Sequence, residues 1–398
     1  MNQRVTTFLW VLVIVLSFGI FSDLVPQELR TAFYGLSWLF ILIQSVSGIN
    51  KVSFLKLRQS SLAMVVGLTL LFGINIFVST APAMTIQRLV ALVINILIAY
   101  TLSIRSGGDF SLKVISDAFR KVLIFISILM AVIYLVEPKL LIDNGDNSNL
   151  IGTFKGLFPM KNVLGRFMVM AILFEFTRKK LSFSLIGLAF LWLIISKSAT
   201  AFVAAATLIP LIFTKSLFKN RWSAVLLLVS MGAVLILFPI ILEFPLTKLI
   251  LEDYLGKSTN MSGRTDLWPY AIKAVSEQPW FGYGFSVFWD SKDANQQILR
   301  HFSWSPGHAH NGFIQLLIDF GLVGAIPVLF LYLKVSRFSI KLYSMGTKLM
   351  FSFCYLLLVF NFSQSELVGR NSFTFIFFLF LFFLSRTGIT SLQNSRAS

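Results

Sequence analysis

The chain alternates long apolar runs with short polar connections along nearly its whole length. Runs of roughly 17 to 25 apolar residues have the length of a helix that crosses a lipid bilayer. Such runs lie near residues 7–22, 30–47, 62–79, 86–104, 120–137, 160–177, 181–197, 199–214, 223–243, 311–333, 348–363 and 371–385. The pattern therefore predicts an all-α integral membrane protein with about twelve transmembrane helices. The two short runs on either side of Lys197 leave an alternative open, which is one long bent helix.

One long hydrophilic stretch interrupts this pattern, between about residues 244 and 310. It is the only such stretch large enough to fold by itself, and its polar composition allows short helices, the clearest from Pro269 to Glu277. The predicted organisation is transmembrane helices 1–9 in residues 1–243 and a loop domain in residues 244–310. Helices 10–12 then occupy residues 311–385, and a tail occupies residues 386–398.

Composition supports a membrane protein and excludes a soluble globular domain. Hydrophobic residues make up 56% of the chain, charged residues 13%, and the mean hydropathy is +0.81. The net charge of +17 is scattered over short loops, so it does not indicate nucleic-acid binding. The single cysteine, Cys354, lies in an apolar run and has no cysteine partner within the chain.

The distribution of charge predicts the orientation. With twelve spans both termini share one side, and that side carries 20 of the 34 lysines and arginines but only 3 of the 17 acidic residues. Positive residues concentrate in cytoplasmic loops. We therefore expect both termini in the cytoplasm and the long loop outside, which in a bacterium is the periplasm. The apolar run after Arg4 is interpreted as a retained first span.

All three histidines, His301, His308 and His310, fall within ten residues at the end of the long loop. Histidine is the side chain best suited to proton transfer near neutral pH, and His310 lies where the chain returns to an apolar helix. Two alternatives stay open: interfacial histidines without a role, and a zinc site. The zinc pattern is weak because no cysteine or His-Glu helix motif accompanies it.

An arginine lies earlier in the same loop, where a helix is expected to start. A guanidinium beside free helix N–H groups can bind phosphate oxygens, which makes Arg264 a candidate. An exposed arginine paired with Asp266 or Glu277 is the alternative. Four of the eight tryptophans also lie in this loop and suit either sugar stacking or the membrane interface: Trp268, Trp280, Trp289 and Trp304.

Charged side chains at the outward ends of the spans are costly in lipid, so they suggest function. They are Lys155, Lys161, Arg166, Lys197, Glu366 and Arg370. Together with Arg264 and Arg300 they would form an outward basic cavity that suits a diphosphate group. Alternatives are a local Glu366–Arg370 ion pair and a Lys161 side chain that reaches to the interface.

Several short motifs follow one another over roughly residues 150–375. They are Lys161-Asn162-x-Leu164-Gly165, Ser196-x-Ser198-x-Thr200-Ala201, Gly263-Arg264 with Trp268, Gly282-x-Gly284, His308-Ala309-His310-Asn311-Gly312 and Glu366-Leu367-Val368-Gly369-Arg370-Asn371. As an ordered set they resemble the O-antigen ligase and polymerase family, and the last motif is similar to an element of bacterial exopolysaccharide (Wzy-type) polymerases. Many members have an arginine where Ala199 stands here, and this departure weakens any phosphate role at that point.

The resemblance implies a membrane glycosyltransferase with a C-type fold. It would use a polyprenyl-diphosphate-linked oligosaccharide as donor at the outer face of the bacterial inner membrane, without a metal or another cofactor, and invert the anomeric centre. In that reading His310 is the general base and Arg264 binds the leaving diphosphate. Substrate-binding roles then fall to Lys161, Asn162, Arg166, Arg300, Asn311, Glu366, Arg370 and Asn371.

The expected product is a polysaccharide built on a lipid-linked glycan acceptor, with a chain-length regulator and a flippase as expected partners besides the bilayer. A ligase that moves finished glycan to a lipid or protein acceptor is the main alternative. A transporter or flippase is the other, but no sequence repeat relates the two halves of the chain, and such repeats are common in transporters.

Overall fold

The computed structural model describes residues 3–47, 59–105, 112–143, 152–178, 180–213, 264–291, 306–344, 348–369 and 371–386. Within these ranges the chain forms twelve α-helices, and the only β pairing among them is one isolated bridge, between Ile142 and Phe154. The helices are α1 Gln3–Ser17, α2 Gln27–Ser47, α3 Gln59–Val78, α4 Pro82–Arg105, α5 Leu112–Val136, α6 Lys161–Glu175, α7 Phe183–Ser196, α8 Ala199–Phe213, α9 Arg264–Glu277, α10 Gly312–Ser344, α11 Lys348–Asn361 and α12 Phe373–Arg386.

Eleven of the twelve predicted spans coincide with one of these helices, and the remaining span, 223–243, lies outside the described residues. The other helix, α9, falls in the predicted loop and starts at Arg264, five residues before the expected stretch. The all-helical class is thereby confirmed for the described part of the chain. There, four helices are long and apolar enough to cross a bilayer: α2, α4, α5 and α10. The number of spans stays a prediction.

Two separate helices flank Lys197, so the alternative of one long bent helix is wrong. Lys197 follows α7 in the left-handed conformation, with φ 49°, and its N–H donates to Ile194 O. A left-handed residue is a common end of a helix because its N–H bonds back to the last turn. The chain turns there and enters α8 two residues later.

The centre of the bundle is α12, in which every residue from Phe373 to Leu384 is buried. A helix that is apolar on all sides is expected inside a bundle. Its phenylalanines meet aromatic rings from six other described helices, α1, α4, α5, α6, α10 and α11. Among these contacts are Trp10 of α1 with Phe380 at 5.2 Å, Tyr100 of α4 with Phe383 at 5.2 Å, and Tyr332 of α10 with Phe378 at 6.2 Å.

Peripheral helices expose apolar side chains. On α2, Leu29, Leu36 and Ile43 recur every seven residues and are all exposed, and Ile128 and Leu135 repeat the pattern on α5. Residues spaced by seven share one face of a helix. An exposed apolar face of this extent is expected where a helix contacts lipid.

Four ion pairs join segments that the predicted topology places on one side of the membrane. Each pair connects chain segments distant in sequence, which ties the ends of neighbouring helices together. On the predicted outward side these are Asp23 with Lys155 (2.6 Å) and Arg88 with Asp290, and on the cytoplasmic side Arg120 with Glu175 and Arg178 with Asp117. This is the arrangement expected if the spans alternate as predicted.

Helix α10 is broken at Gly321, where φ is 58° and ψ is −164°. The loop turn that follows α9 fills the break with its own backbone: Tyr283 N–H donates to Ile318 O (2.8 Å), and Leu322 N–H donates to Pro279 O (2.8 Å). In lipid every backbone polar group needs a partner within the protein. Part of the predicted loop domain is therefore packed into the helix bundle.

Glycine is required on both sides of this junction. A Cβ on Gly282 would lie 2.4 Å from Ile318 O, and one on Gly321 would lie 2.3 Å from the carbonyl carbon of Trp280. Both positions also have positive φ, which other residues adopt at an energetic cost. Close backbone contact thus explains Gly282, the first glycine of the Gly282-x-Gly284 motif, whereas a Cβ on Gly284 would meet the side chains of Ser79 and Thr85.

Candidate functional site

The histidine turn, His308–Ala309–His310, stands immediately before α10. His310 has a left-handed backbone (φ 51°), its N–H donates to Nδ1 of His308 at 3.0 Å, and the two rings are 4.0 Å apart between centroids. The Nδ1 of His308 must lack a proton to accept this bond, so that ring carries its proton on Nε2 when neutral. Both imidazoles are half-buried. The turn thus presents two adjacent imidazoles at the end of a helix.

Asn311 caps α10. Its Oδ1 accepts hydrogen bonds from the N–H groups of Phe313 (3.0 Å) and Ile314 (3.2 Å), which have no partner inside the helix. This gives Asn311 a structural task in addition to the substrate-binding role predicted for it. The cap also determines where the helix starts relative to His310.

A buried glutamine holds the histidine turn in place. Gln315 Oε1 accepts from the N–H of Ala309 and from the indole N–H of Trp289, both at 2.8 Å. Its Nε2 donates to Oδ1 of Asp319 at 2.8 Å, and the same oxygen accepts from Ser286 N–H at 2.9 Å. Gln315 and Asp319 together therefore bond α10 to three points of the loop.

Helix α9 is fastened to the same turn. The indole of Trp268 is buried and donates to Ala309 O at 3.0 Å. An apolar cluster between α9, the loop and α10 completes the contact: Leu267, Ala271, Ala274, Phe288, Trp289, Ala309 and Ile318. Arg264 is the first residue of α9, one helical turn before Trp268, so its backbone lies near the histidine turn. Its side chain lies outside the described part of the structure.

A cavity of about 210 Å³, lined by both polar and aromatic residues, opens at the predicted outward ends of α1, α6, α11 and α12. Among its lining residues are three that the sequence singled out, Arg166, Glu366 and Asn371. Arg166 forms an ion pair with one oxygen of Glu366, and the other oxygen accepts from Ser372 at 3.0 Å and from Thr374. The side chains of Arg166 and Glu366 are 12% and 11% exposed, so the pair is largely buried. Both oxygens of the Glu366 carboxylate therefore have partners within the protein.

Asn361, at the end of α11, joins this cavity to the histidine turn. Its Oδ1 accepts from the N–H groups of Glu366 (2.9 Å) and Leu367 (2.8 Å). Asn361 also packs against Gly312, the first residue of α10, since a Cβ on this glycine would lie 1.9 Å from Oδ1 of Asn361. Only a glycine fits here, which explains why His310 and Asn311 are followed by one. The loop that carries Glu366 and the turn that carries His310 thus share one buried contact.

The Lys-Asn motif packs against the small-hydroxyl motif. Lys161 is the first residue of α6, and Oδ1 of Asn162 accepts from the hydroxyl of Ser198 at 3.0 Å. A Cβ on Gly165 would lie 2.7 Å from the Cβ of Ala201, so α6 and α8 touch at this point. The two motifs therefore form one helix crossing, with Arg166 one residue further along α6.

The structure brings part of the predicted set together. Arg166, Glu366 and Asn371 line the cavity, whereas His310, Asn311, Lys161 and Asn162 are not among its lining residues. Arg300 and Arg370 lie outside the described residues. Three residues that organise the site are not singled out by the sequence motifs. They are Gln315, Asn361 and Asn75, which are buried in apolar helices. Polar residues inside predicted spans are a signal that would have found them.

Asn75 of α3 forms hydrogen bonds to both the loop turn and α10. Its Nδ2 donates to Asp319 O (2.8 Å) and to Phe281 O (3.2 Å), and its Oδ1 accepts from Phe285 N–H at 2.5 Å. One buried amide therefore bonds both the broken part of α10 and the turn that fills it.

Tyr283, in the same turn, reaches back to α9. Its phenol donates to Ala274 O at 3.0 Å and lies beside Glu277. Partial burial, reinforced by this carboxylate, raises the pKa of Tyr283 to about 12.

Residues 184–329 match the family model described as "O-Antigen ligase", which confirms the resemblance seen in the motifs. This stretch runs from α7 to the middle of α10 and includes Arg264, Arg300 and the histidine turn. Together with the long apolar helices, the match indicates a multi-pass membrane protein.

Curated proteins are similar over shorter stretches. The "Exopolysaccharide production protein ExoQ" of Rhizobium meliloti is 32% identical over 75 residues, which are 18% of this chain and 17% of the relative. A "Putative polysaccharide ligase" of Rickettsia felis is 27% identical over 103 residues, 25% of each chain. The chain thus matches a quarter or less of the length of these relatives.

Proposed function

We propose that this protein is a glycosyltransferase of the bacterial inner membrane that transfers an oligosaccharide from a polyprenyl diphosphate to the hydroxyl of an acceptor glycan. The observation that carries the proposal is the bond from Trp268 to Ala309 O, which brings the start of α9 beside the histidine turn. His310 is the candidate base, and Arg264 is the candidate diphosphate ligand at the start of α9. The histidine turn and α9 are packed against each other.

The proposed reaction is a direct displacement at the anomeric carbon. His310 takes the proton of the acceptor hydroxyl while its oxygen forms the new bond to the anomeric carbon. The bond from that carbon to the diphosphate oxygen breaks, and its electron pair leaves with the diphosphate. Because attack and departure occur on opposite faces, the configuration inverts.

Arg264 would stabilise the charge that grows on the leaving diphosphate. A guanidinium presents a planar pair of donors to phosphate oxygens, and the N–H groups of the first turn of α9, which have no acceptor within the helix, favour an anion at the same place. Lys161, Arg300 and Arg370 are proposed to add positive charge around it. Donors of this kind, fixed before the reaction, stabilise charge more than mobile water does.

The same chemistry serves a polymerase and a ligase, which differ only in the acceptor. We propose a polymerase that extends a lipid-linked glycan, supported by the Glu366 to Asn371 motif and by the likeness to an exopolysaccharide production protein. The family model and the Rickettsia relative favour a ligase instead. The accumulated product separates them, since loss of a polymerase leaves single repeat units and loss of a ligase leaves long chains on the carrier lipid.

In the proposed topology both termini are cytoplasmic, and the loop, the cavity and the histidine turn face the periplasm. The four same-side ion pairs and the charge asymmetry support it. A flippase that delivers the lipid-linked donor and a chain-length regulator are the proposed partners. Reporter fusions at either terminus test the orientation, because a fused alkaline phosphatase, which is active only in the periplasm, should stay inactive at both ends.

The decisive experiment is complementation of a deletion strain, followed by the size profile of its glycan. His310→Ala is expected to reduce transfer about 10²- to 10⁴-fold, as loss of a general base does, while the protein still inserts. Arg264→Ala should also abolish chains, and Arg264→Lys should restore only part because the planar fork is lost.

Lys273→Ala, an exposed change on the same helix α9, is the matched control and should leave the glycan unchanged. Normal chain length in cells that contain only His310→Ala would refute the assignment of the base.

A further inference from the structure

The cavity beside Glu366 has the wrong charge balance for a diphosphate. Among its described lining residues the only charged groups are Arg166 and Glu366, and they neutralise each other in one ion pair. A diphosphate placed there would bring further negative charges next to a buried carboxylate, and like charges in a poorly solvated site repel strongly. The cavity therefore favours an uncharged ligand.

Several hydrogen-bonding atoms in the cavity wall have no hydrogen-bond partner among the described residues. Four buried atoms of lining residues make no hydrogen bond to any described residue: Ser17 Oγ, Arg166 Nε, Ser365 Oγ and Asn371 Oδ1. Buried polar atoms are normally satisfied, so a group of them around one space indicates a polar occupant. The set contains a donor, an acceptor and two hydroxyls that can act as either. A phosphate oxygen can only accept, whereas a sugar hydroxyl both donates and accepts.

The remaining wall is aromatic. Phe18 and Phe373 stack at 5.7 Å between centroids, and both line the cavity together with Phe360. Flat apolar rings beside hydrogen-bonding groups suit a sugar, which has apolar ring faces and polar edges. The volume of about 210 Å³ lies below the roughly 300–1,000 Å³ typical of pockets for drug-sized ligands. It has room for one ring and not for an oligosaccharide.

We infer that this cavity is a subsite that binds a single sugar ring of the lipid-linked glycan through its hydroxyls, separate from the place where the diphosphate is held. The inference rests on the proposed function. Asn361 connects the cavity loop to the first residue of α10, so the sugar subsite adjoins the histidine turn. A ring held there would position its neighbour in the glycan for transfer.

Two probes test the subsite with the full chain in lipid nanodiscs. One is undecaprenyl diphosphate, which has no sugar, and the other is a set of oligosaccharides released by digestion of the polysaccharide that the host strain makes. Ser365→Ala removes one unpartnered hydroxyl and should weaken oligosaccharide binding about three- to ten-fold, the effect of one hydrogen bond. Binding of undecaprenyl diphosphate should change by less than about two-fold. Ser363→Ala, also buried but not lining the cavity, is the matched control.

Asn371 gives a second, independent variant pair. Asn371 has φ 56°, so Asn371→Gly removes the side chain without backbone strain and should weaken oligosaccharide binding about three- to ten-fold. Asn371→Asp retains an acceptor for a hydroxyl but adds a negative charge. Its binding of undecaprenyl diphosphate should change by less than about two-fold, because the diphosphate is held elsewhere.

A loss of undecaprenyl diphosphate binding in Asn371→Asp would overturn the inference, because it would place the diphosphate in the cavity. Unchanged oligosaccharide binding in both Ser365→Ala and Asn371→Gly would overturn it as well. Failure of the proposed function has a different signature, which is normal glycan from His310→Ala or unchanged undecaprenyl diphosphate binding in Arg264→Ala.

Discussion

Gln315 offers a sharp test of how the histidine turn is held. The substitution Gln315→Met retains the length of the side chain but removes its oxygen and nitrogen. Ala309 N–H and the indole N–H of Trp289 then lose their acceptor, since each bonds Oε1 at 2.8 Å. Asp319 loses one donor and retains Ser286 N–H.

The size of the effect follows from these contacts. A buried donor left without a partner costs about 1–3 kcal/mol, so the two N–H groups together cost about 2–6 kcal/mol. Part of this is recovered if the turn moves to reach water. Whether the turn stays in place with unpaired N–H groups or moves to reach water, the segment that carries His310 is held less firmly. We therefore expect a lower thermal midpoint together with reduced transfer.

Hydrogen–deuterium exchange of the protein in nanodiscs measures the local part directly. The Ala309 amide should exchange about ten-fold faster or more, because about 1.4 kcal/mol corresponds to a factor of ten. Gln278→Met, an exposed glutamine just after α9, is the control and should change neither exchange nor thermal midpoint. If the peptide containing residues 306–311 exchanges at the parent rate in Gln315→Met, the glutamine does not hold the turn.

Two further predictions concern the loop that fills the break in α10. Gly282→Ala should lower the thermal midpoint and the yield of folded protein, because its Cβ would lie 2.4 Å from Ile318 O, whereas Gly187→Ala meets nothing within 4 Å and should be neutral. Equal midpoints for the two variants would contradict the close contact. The raised pKa of Tyr283 means that the folded state favours the protonated phenol. Its contribution to stability is complete below pH 10.0, the ordinary pKa value, and is lost as the pH rises through about 12. Between these pH values the thermal midpoint of Tyr283→Phe should therefore fall less than that of the parent protein. Parallel plots of thermal midpoint against pH for the two proteins would refute this.

Much of the candidate site could be anticipated from the sequence, because its motifs are local. His310 at the return to a helix, Arg264 at a helix start and the charged Arg166 and Glu366 in apolar surroundings are each visible as exceptions to their neighbourhood. The residues that these side chains contact could not be anticipated in the same way. Proximity in sequence suggests Arg370, four residues away, as the ion-pair partner of Glu366, but its described partner is Arg166, two hundred residues earlier in the chain.

The apolar pattern by itself determined that this is a helical membrane protein, since a bilayer requires long apolar helices and leaves few other solutions. It also placed nearly every helix that the structure describes. Only the tertiary structure decided that a loop segment fills the break at Gly321, that Gln315 and Asn361 hold the histidine turn, and that Arg166 meets Glu366 over a cavity. The physical reason is that apolar periodicity records which residues avoid water, whereas these contacts depend on which helices become neighbours.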